Sequence, residues 1–100
     1  MDEPSAYAER VLAVVARIPP GTVMSYGDVA EFMGEGAARA VGGVMFRWGA
    51  DVPWHRVVMA DGRPKPFGSE EQLALLRADR TPMTDDGSRV DMRLARWDGR

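Results

Sequence analysis

The polar chemistry of this chain concentrates in one short run, where Pro53 precedes Trp54, His55 and Arg56. An imidazole can serve as a general base, and a carboxylate such as Asp51 or Asp79 could orient it or act in its place. The chain contains no cysteine. That excludes disulfides, thiolate metal sites and a thiol nucleophile. His55 is the single histidine, which argues against a zinc site. A second group of interest is Arg39, set in the run Ala37-Ala38-Arg39-Ala40-Val41-Gly42-Gly43-Val44-Met45. Ala37, Ala38, Ala40 and Gly42 would leave one helix face nearly bare, with Arg39 alone protruding. Two adjacent glycines cost about 1 kcal/mol each in a helix interior relative to alanine. Such a helix can either press close to an external surface or relieve crowding against a neighbouring helix. Both readings stand at this level.

Those residues must be carried by some framework. One hundred residues suit one domain with a modest core, here taken as 1–100. No apolar run approaches the length of a membrane span. The acidic start, Met1-Asp2-Glu3-Pro4, is unlike a signal peptide, so a soluble intracellular protein is expected. Net charge is −2, yet Gly36 to Phe67 holds Arg39, Arg47, Arg56, Arg63 and Lys65 against Asp51 and Asp61. A basic face on an acidic body can bind DNA, neutralising few phosphates. All cationic side chains but Lys65 are arginine, the residue suited to bidentate, stacked and phosphate contacts.

Val11, Val14, Val15 and Ile18 recur at helical spacing and predict a helix over 5–18, stopped by Pro19-Pro20-Gly21. Thr22 to Met24 reads as a short extended piece. Ser25 and Asp28 have capping-box spacing and open a second helix, with Val29, Phe32 and Met33 inward, ending near Gly34. After a turn at Glu35-Gly36 a third helix runs over 37–47, giving a helix-turn-helix. A strand follows over 56–59, with a turn at Asp61-Gly62. Ser69 and Gln72 form a second capping-box pair, opening a helix through Leu73, Leu75 and Leu76 to Asp79. Residues 89–92 read as a strand. The fold class is mostly α with short β elements, a small winged-helix-like domain.

Ala38-Arg39-Ala40-Val41-Gly42-Gly43, followed by Pro53-Trp54-His55-Arg56-Val57-Val58, resembles the C-terminal domain of O6-alkylguanine-DNA alkyltransferases. That family has cysteine where Trp54 stands. The replacement marks the alkyltransferase-like proteins, which bind the same lesions without transferring the alkyl group. The similarity spans residues 7–79, with 80–100 as a short C-terminal extension. The resemblance implies minor-groove binding through Ala37, Ala38, Arg39, Ala40 and Gly42. Arg39 is the finger that fills the gap left by a flipped base, and Tyr26 rotates its phosphate. The lesion pocket is formed by Tyr26, Met45, Trp54, Arg56 and Val57. His55 and Asp79 are the remnant of a relay whose nucleophile is gone. No cofactor and no metal is implied. The implied partners are duplex DNA containing O6-alkylguanine and the proteins of nucleotide excision repair, with a monomer in the cytoplasm and no membrane.

Three departures accompany the resemblance. The segment between Arg39 and Trp54 is two residues short and lacks the family's asparagine. Pro66-Phe67-Gly68-Ser69 replaces a Tyr-Ser-Gly-Gly pocket loop. The family's N-terminal domain has no counterpart in these residues. Two other functions compete with the lesion-binding reading. One is a base-flipping enzyme using His55, Asp51 or Asp79. The other is a transcriptional regulator, for which the third helix offers almost no base-reading side chains.

Overall fold

The computed structural model describes residues 3–100; Met1 and Asp2 lie outside the described residues. Helix α1 covers Ala6–Arg17, and Ser5 caps it by accepting from the Ala8 amide. Strand β1, Met24–Ser25, runs directly into helix α2, Tyr26–Met33. The expected capping box at this junction forms in both directions. Ser25 Oγ accepts from the Asp28 amide at 2.9 Å, and the Asp28 carboxylate accepts from the Ser25 amide at 3.0 Å. Helix α3, Ala38–Trp48, follows a glycine-rich turn, then two single 3-10 turns at Gly49–Asp51 and Trp54–Arg56 lead into β2, Val57–Val58. β2 lies parallel to β1, with Met24 opposite Val57 and Ser25 opposite Val58. Helix α4, Ser69–Ala78, and a short helix α5, Met92–Ala95, complete the chain. The expectation of a mostly helical fold with short β elements therefore holds.

The first three helices meet around one apolar centre. Val11, Val14, Val15 and Ile18 of the α1 segment close on Val29 and Ala30 of α2 and on Val41 and Val44 of α3. The helical spacing read from α1 is what points all four of its residues the same way. A second centre joins Val23, Val58, Leu76, Val90 and Ala95. Here the C-terminal segment returns to the start of the fold. The Val23 amide donates to the Ala95 carbonyl at 3.0 Å, and the Trp97 amide donates to the Val23 carbonyl at 2.8 Å.

Three expectations need correction. Ser69 and Gln72 do not form a capping box. Gly68, with φ 78°, precedes the helix and offers no side-chain cap, while Gln72 is fully buried and spends its amide elsewhere. A capping box needs the serine outside the helix; Ser69 is already inside it. Residues 89–92 form no strand. Val90 makes an isolated bridge to Met83, and Asp91 caps α5 through the Arg93 amide. Phe32 does not point inward. It is 41% exposed and stacks against Trp97 at 6.3 Å, while Ala30 takes the inward position.

The turn into α3 is held on α1. Arg10 donates to both Glu35 carboxylate oxygens, at 2.8 and 2.6 Å. Gly36 has φ +76°, and a Cβ there would collide with the Tyr7 ring. A side chain at Gly36 therefore meets both a left-handed backbone penalty and a steric one. Gly36→Ala is expected to destabilise the protein by about 2 kcal/mol. The corresponding fall in Tm, of roughly 10 °C, is measurable by thermal unfolding; an unchanged Tm would contradict this packing.

Candidate functional site

A cavity of about 460 Å3 opens beside α3. Its walls come from four parts of the chain. Tyr26 stands at the first position of α2. Gly42, Met45 and Phe46 belong to α3, and Gly49 and Ala50 to the turn that follows. Trp54 comes from the second 3-10 turn, and Lys65, Pro66 and Phe67 from the loop after β2. Most of this surface is aromatic or aliphatic, and that composition suits a flat apolar ligand. Burial raises the pKa of the Tyr26 phenol, so its hydroxyl remains a neutral donor at physiological pH. The Lys65 ammonium sits 4.8 Å from the centroid of the Trp54 ring, a cation–π contact at the edge of the cavity. Its place in the wall has no local signal in the sequence, where Lys65 counts only towards the basic segment.

Two polar side chains, one buried and one partly buried, hold these walls in place. The Gln72 amide donates to the carbonyls of His55, at 3.1 Å, and Val57, at 2.8 Å. Its carbonyl oxygen accepts from the Lys65 amide at 2.8 Å. One side chain thus fixes both the turn bearing Trp54 and the loop bearing Lys65. Beneath the same turn, Asp79 accepts from His55 Nε2 at 2.8 Å, Arg56 Nε at 2.8 Å and Arg56 Nη2 at 3.2 Å. Arg56 also donates to the Ile18 carbonyl at 3.0 Å. The Arg56 guanidinium, with a smaller contribution from His55, holds the Asp79 carboxyl below its ordinary pKa against the opposing effect of burial.

This clamp reassigns two pocket candidates. Arg56 faces Asp79 and the end of α1, not the cavity, because a carboxylate and a carbonyl there satisfy its donors. Val57 has no exposed surface and belongs to the core; it pairs with Met24 in the sheet, which turns it inward. Tyr26, Met45 and Trp54 do line the cavity. His55 and Asp79 are in contact, but neither is part of the cavity wall. Asp51 is exposed and also lies outside that wall.

Helix α3 presents two unlike faces. Val41 and Val44 are buried against α1 and α2, while Ala37, Ala38, Arg39 and Ala40 are all exposed. The helix begins without a side-chain cap and without an acidic residue in its first turn. Its first amides and positive dipole end are therefore open to an anion. A Cβ on Gly42 would lie 4.0 Å from the Tyr26 ring, whereas one on Gly43 would meet nothing within 4 Å. Packing inside the chain therefore gives no reason for glycine at 43. Arg39 makes no hydrogen bond or ion pair among the described residues. Of the other local cations, Arg63 pairs with Asp61 at 3.5 Å and Arg47 lies over the Trp48 ring at 5.0 Å. The basic face is thus narrower than the residue count of the segment implies. No helix among the described residues is long and apolar enough to cross a membrane, and no cluster among them could hold a metal ion.

Known proteins are similar to this chain in sequence and fold. A protein of Escherichia coli (strain K12) named DNA base-flipping protein is 38% identical over 102 residues, spanning 97% of this chain and 78% of that protein. The crystal structure of S. pombe Atl1 in complex with damaged DNA containing O6-carboxymethylguanine superposes with a TM-score of 0.78. It is 28% identical, over 91% of this chain and 94% of that one. The structure of Mycobacterium tuberculosis OGT in complex with DNA gives a TM-score of 0.69 at 34% identity, over 80% of this chain and 54% of that one. The profile of the 6-O-methylguanine DNA methyltransferase DNA-binding domain matches residues 6–81, and the chain belongs to that family.

Proposed function

We propose that this protein binds duplex DNA through the bare face of α3, draws an O6-alkylated guanine out of the stack into the cavity, and keeps it there without removing the alkyl group. The observation that carries this reading is the joining of two features. An exposed stretch at the start of α3, made of Ala37, Ala38 and Ala40 with Arg39 projecting from it, runs beside an aromatic-walled cavity of about 460 Å3, and Phe46 stands farther along the same outer face. A bare backbone suits the narrow minor groove, and a planar guanidinium suits the space an extruded base leaves. The likeness to base-flipping proteins and to a protein bound to O6-carboxymethylguanine DNA supports the same reading.

Selectivity begins in the duplex. Extruding a base costs a few kcal/mol, less when its pairing is already weakened. An O6-alkyl group removes the N1 proton of guanine and with it a normal pair to cytosine. The cavity then adds apolar contact from Trp54 and Met45 and a phenolic donor from Tyr26. Retention without repair follows from the residues at hand. No cysteine exists, and an indole is no acceptor for an alkyl group under neutral aqueous conditions. His55 Nε2 is engaged by Asp79, whose carboxylate is also held by Arg56. A general base must reach the proton that it removes, and this pair is turned to the underside of the turn. A complex that persists would mark the lesion for nucleotide excision repair, the pathway we propose as its destination.

The defining measurement compares matched duplexes containing guanine or O6-methylguanine at one salt concentration. Preference for the modified duplex is expected, with the oligonucleotide mass unchanged after incubation with equimolar protein. Equal affinity, or loss of the alkyl group or of the base, would refute the proposal.

Arg39→Ala should weaken lesion binding by about 1–3 kcal/mol, the scale of a lost stacking contact, while Tm stays unchanged because Arg39 is exposed and unpartnered within the described residues. Full affinity in that variant would remove Arg39 from the mechanism.

Asp79→Asn should cost about 2–3 kcal/mol of stability by stranding Arg56, without releasing any modified base product. Because the folded Asp79 pKa is depressed, its contribution is complete above the ordinary carboxylate range of about 4. It is lost as pH falls through the lower folded value. The Tm gap between wild type and Asp79→Asn should therefore narrow below about pH 4, readable by calorimetry.

A further inference from the structure

Phe46 and Phe67 are the most exposed large apolar side chains of the described residues, at 95% and 85%. They come from separate elements, Phe46 from the outer face of α3 and Phe67 from the loop between β2 and α4. Both nevertheless border the same cavity. Nothing in the fold requires either. Neither belongs to an apolar centre, and neither stacks on another ring among the described residues. Two phenyl groups left in water at one cavity mouth are poised to lose that exposure when something apolar enters. The cavity volume, about 460 Å3, falls in the range of roughly 300–1,000 Å3 that buries drug-sized ligands. Space therefore remains for a substituent carried by the base.

We infer that Phe46 and Phe67 are specificity-determining residues that grade O6-substituents by the apolar, above all aromatic, area at their far end. The inference rests on the flipped-guanine reading given above and adds to it a class of preferred ligand. The base ring sits against Trp54 and Tyr26 in the inner part of the cavity. A methyl group on O6 ends within that inner part. A benzyl group projects toward the mouth, where the two phenyls close on it by edge and face contacts. The geometry also separates the two residues from folding, since removing an exposed phenyl leaves no buried void.

The test is a matrix of dissociation constants. Wild type, Phe46→Ala, Phe67→Ala and the double variant are titrated against duplexes carrying guanine, O6-methylguanine or O6-benzylguanine at one salt concentration, with Tm recorded for each protein. Wild type should prefer benzyl to methyl. Each single variant should reduce that benzyl-to-methyl ratio by roughly three- to tenfold, and the double variant by more, with Tm at the wild-type level and any loss on O6-methylguanine smaller than the loss on O6-benzylguanine. An unchanged benzyl-to-methyl ratio would overturn the assignment while leaving lesion recognition intact. Equal losses on all three duplexes would also overturn it, by making the phenyls general DNA contacts. A wild-type protein that fails to distinguish methylated from plain guanine would instead overturn the flipping reading itself, with this inference following it.

Discussion

A single buried amide ties the candidate site together. Gln72 reaches from the second turn of α4 to two backbone carbonyls flanking the 3-10 turn of Trp54, and takes a third bond from the backbone of Lys65. The bond to Val57 is buried, the other two are partly so, and Gln72 itself has no exposed surface. An unmet polar group there would cost far more than one at the surface. The arrangement therefore holds as a unit. The turn, the loop and α4 keep their relative positions, and the cavity between the turn and the loop inherits its shape from that agreement. The Asp79 carboxylate does the same work two turns further on, at the C-terminal cap of α4, locking His55 and Arg56 and, through Arg56, the end of α1.

These two clamps make sense of a site that retains the look of a catalytic one. A histidine next to a carboxylate suggests proton transfer when read alone. In the folded protein the carboxylate answers to three donors, two of them from a guanidinium, and its negative charge is fixed by them. The imidazole is consequently a strut beneath Trp54. What lines the cavity is an indole, a phenol, a thioether, two phenyl groups and, at the rim, an ammonium. Such a surface favours residence of a flat ring. Rigid walls also mean that little ordering remains to be done when a ligand arrives, which favours binding.

The other half of the site is an absence of side chains. Helix α3 uses Val41 and Val44 to anchor itself in the core and leaves the start of its outer side to small residues, with Arg39 and, farther along, Phe46 projecting from it. The helix begins where it does because Gly36 adopts a left-handed turn against Tyr7 and because Arg10 holds Glu35. The approach surface is thus set by α1, although α1 contributes nothing to the cavity wall.

Local chemistry made part of this legible in advance. The Ser25–Asp28 box, the valine stripe of α1 and the glycine-softened α3 are all governed by residues within a few positions of one another, so short-range pattern suffices to read them. Tyr26, Met45 and Trp54, the pocket residues implied by the family resemblance, lie around one cavity. Other assignments depended on partners distant along the chain. Ser69 and Gln72 have the spacing of a cap, but the carbonyls of His55 and Val57 draw the amide inward. Arg56 sits in the motif, but Asp79 turns it away from the cavity. Val57 sits in the same motif, but pairing with Met24 buries it. Spacing along the chain determines which local element can form; which way a side chain then points is decided by the donors, acceptors and apolar surface that only the folded chain brings within reach.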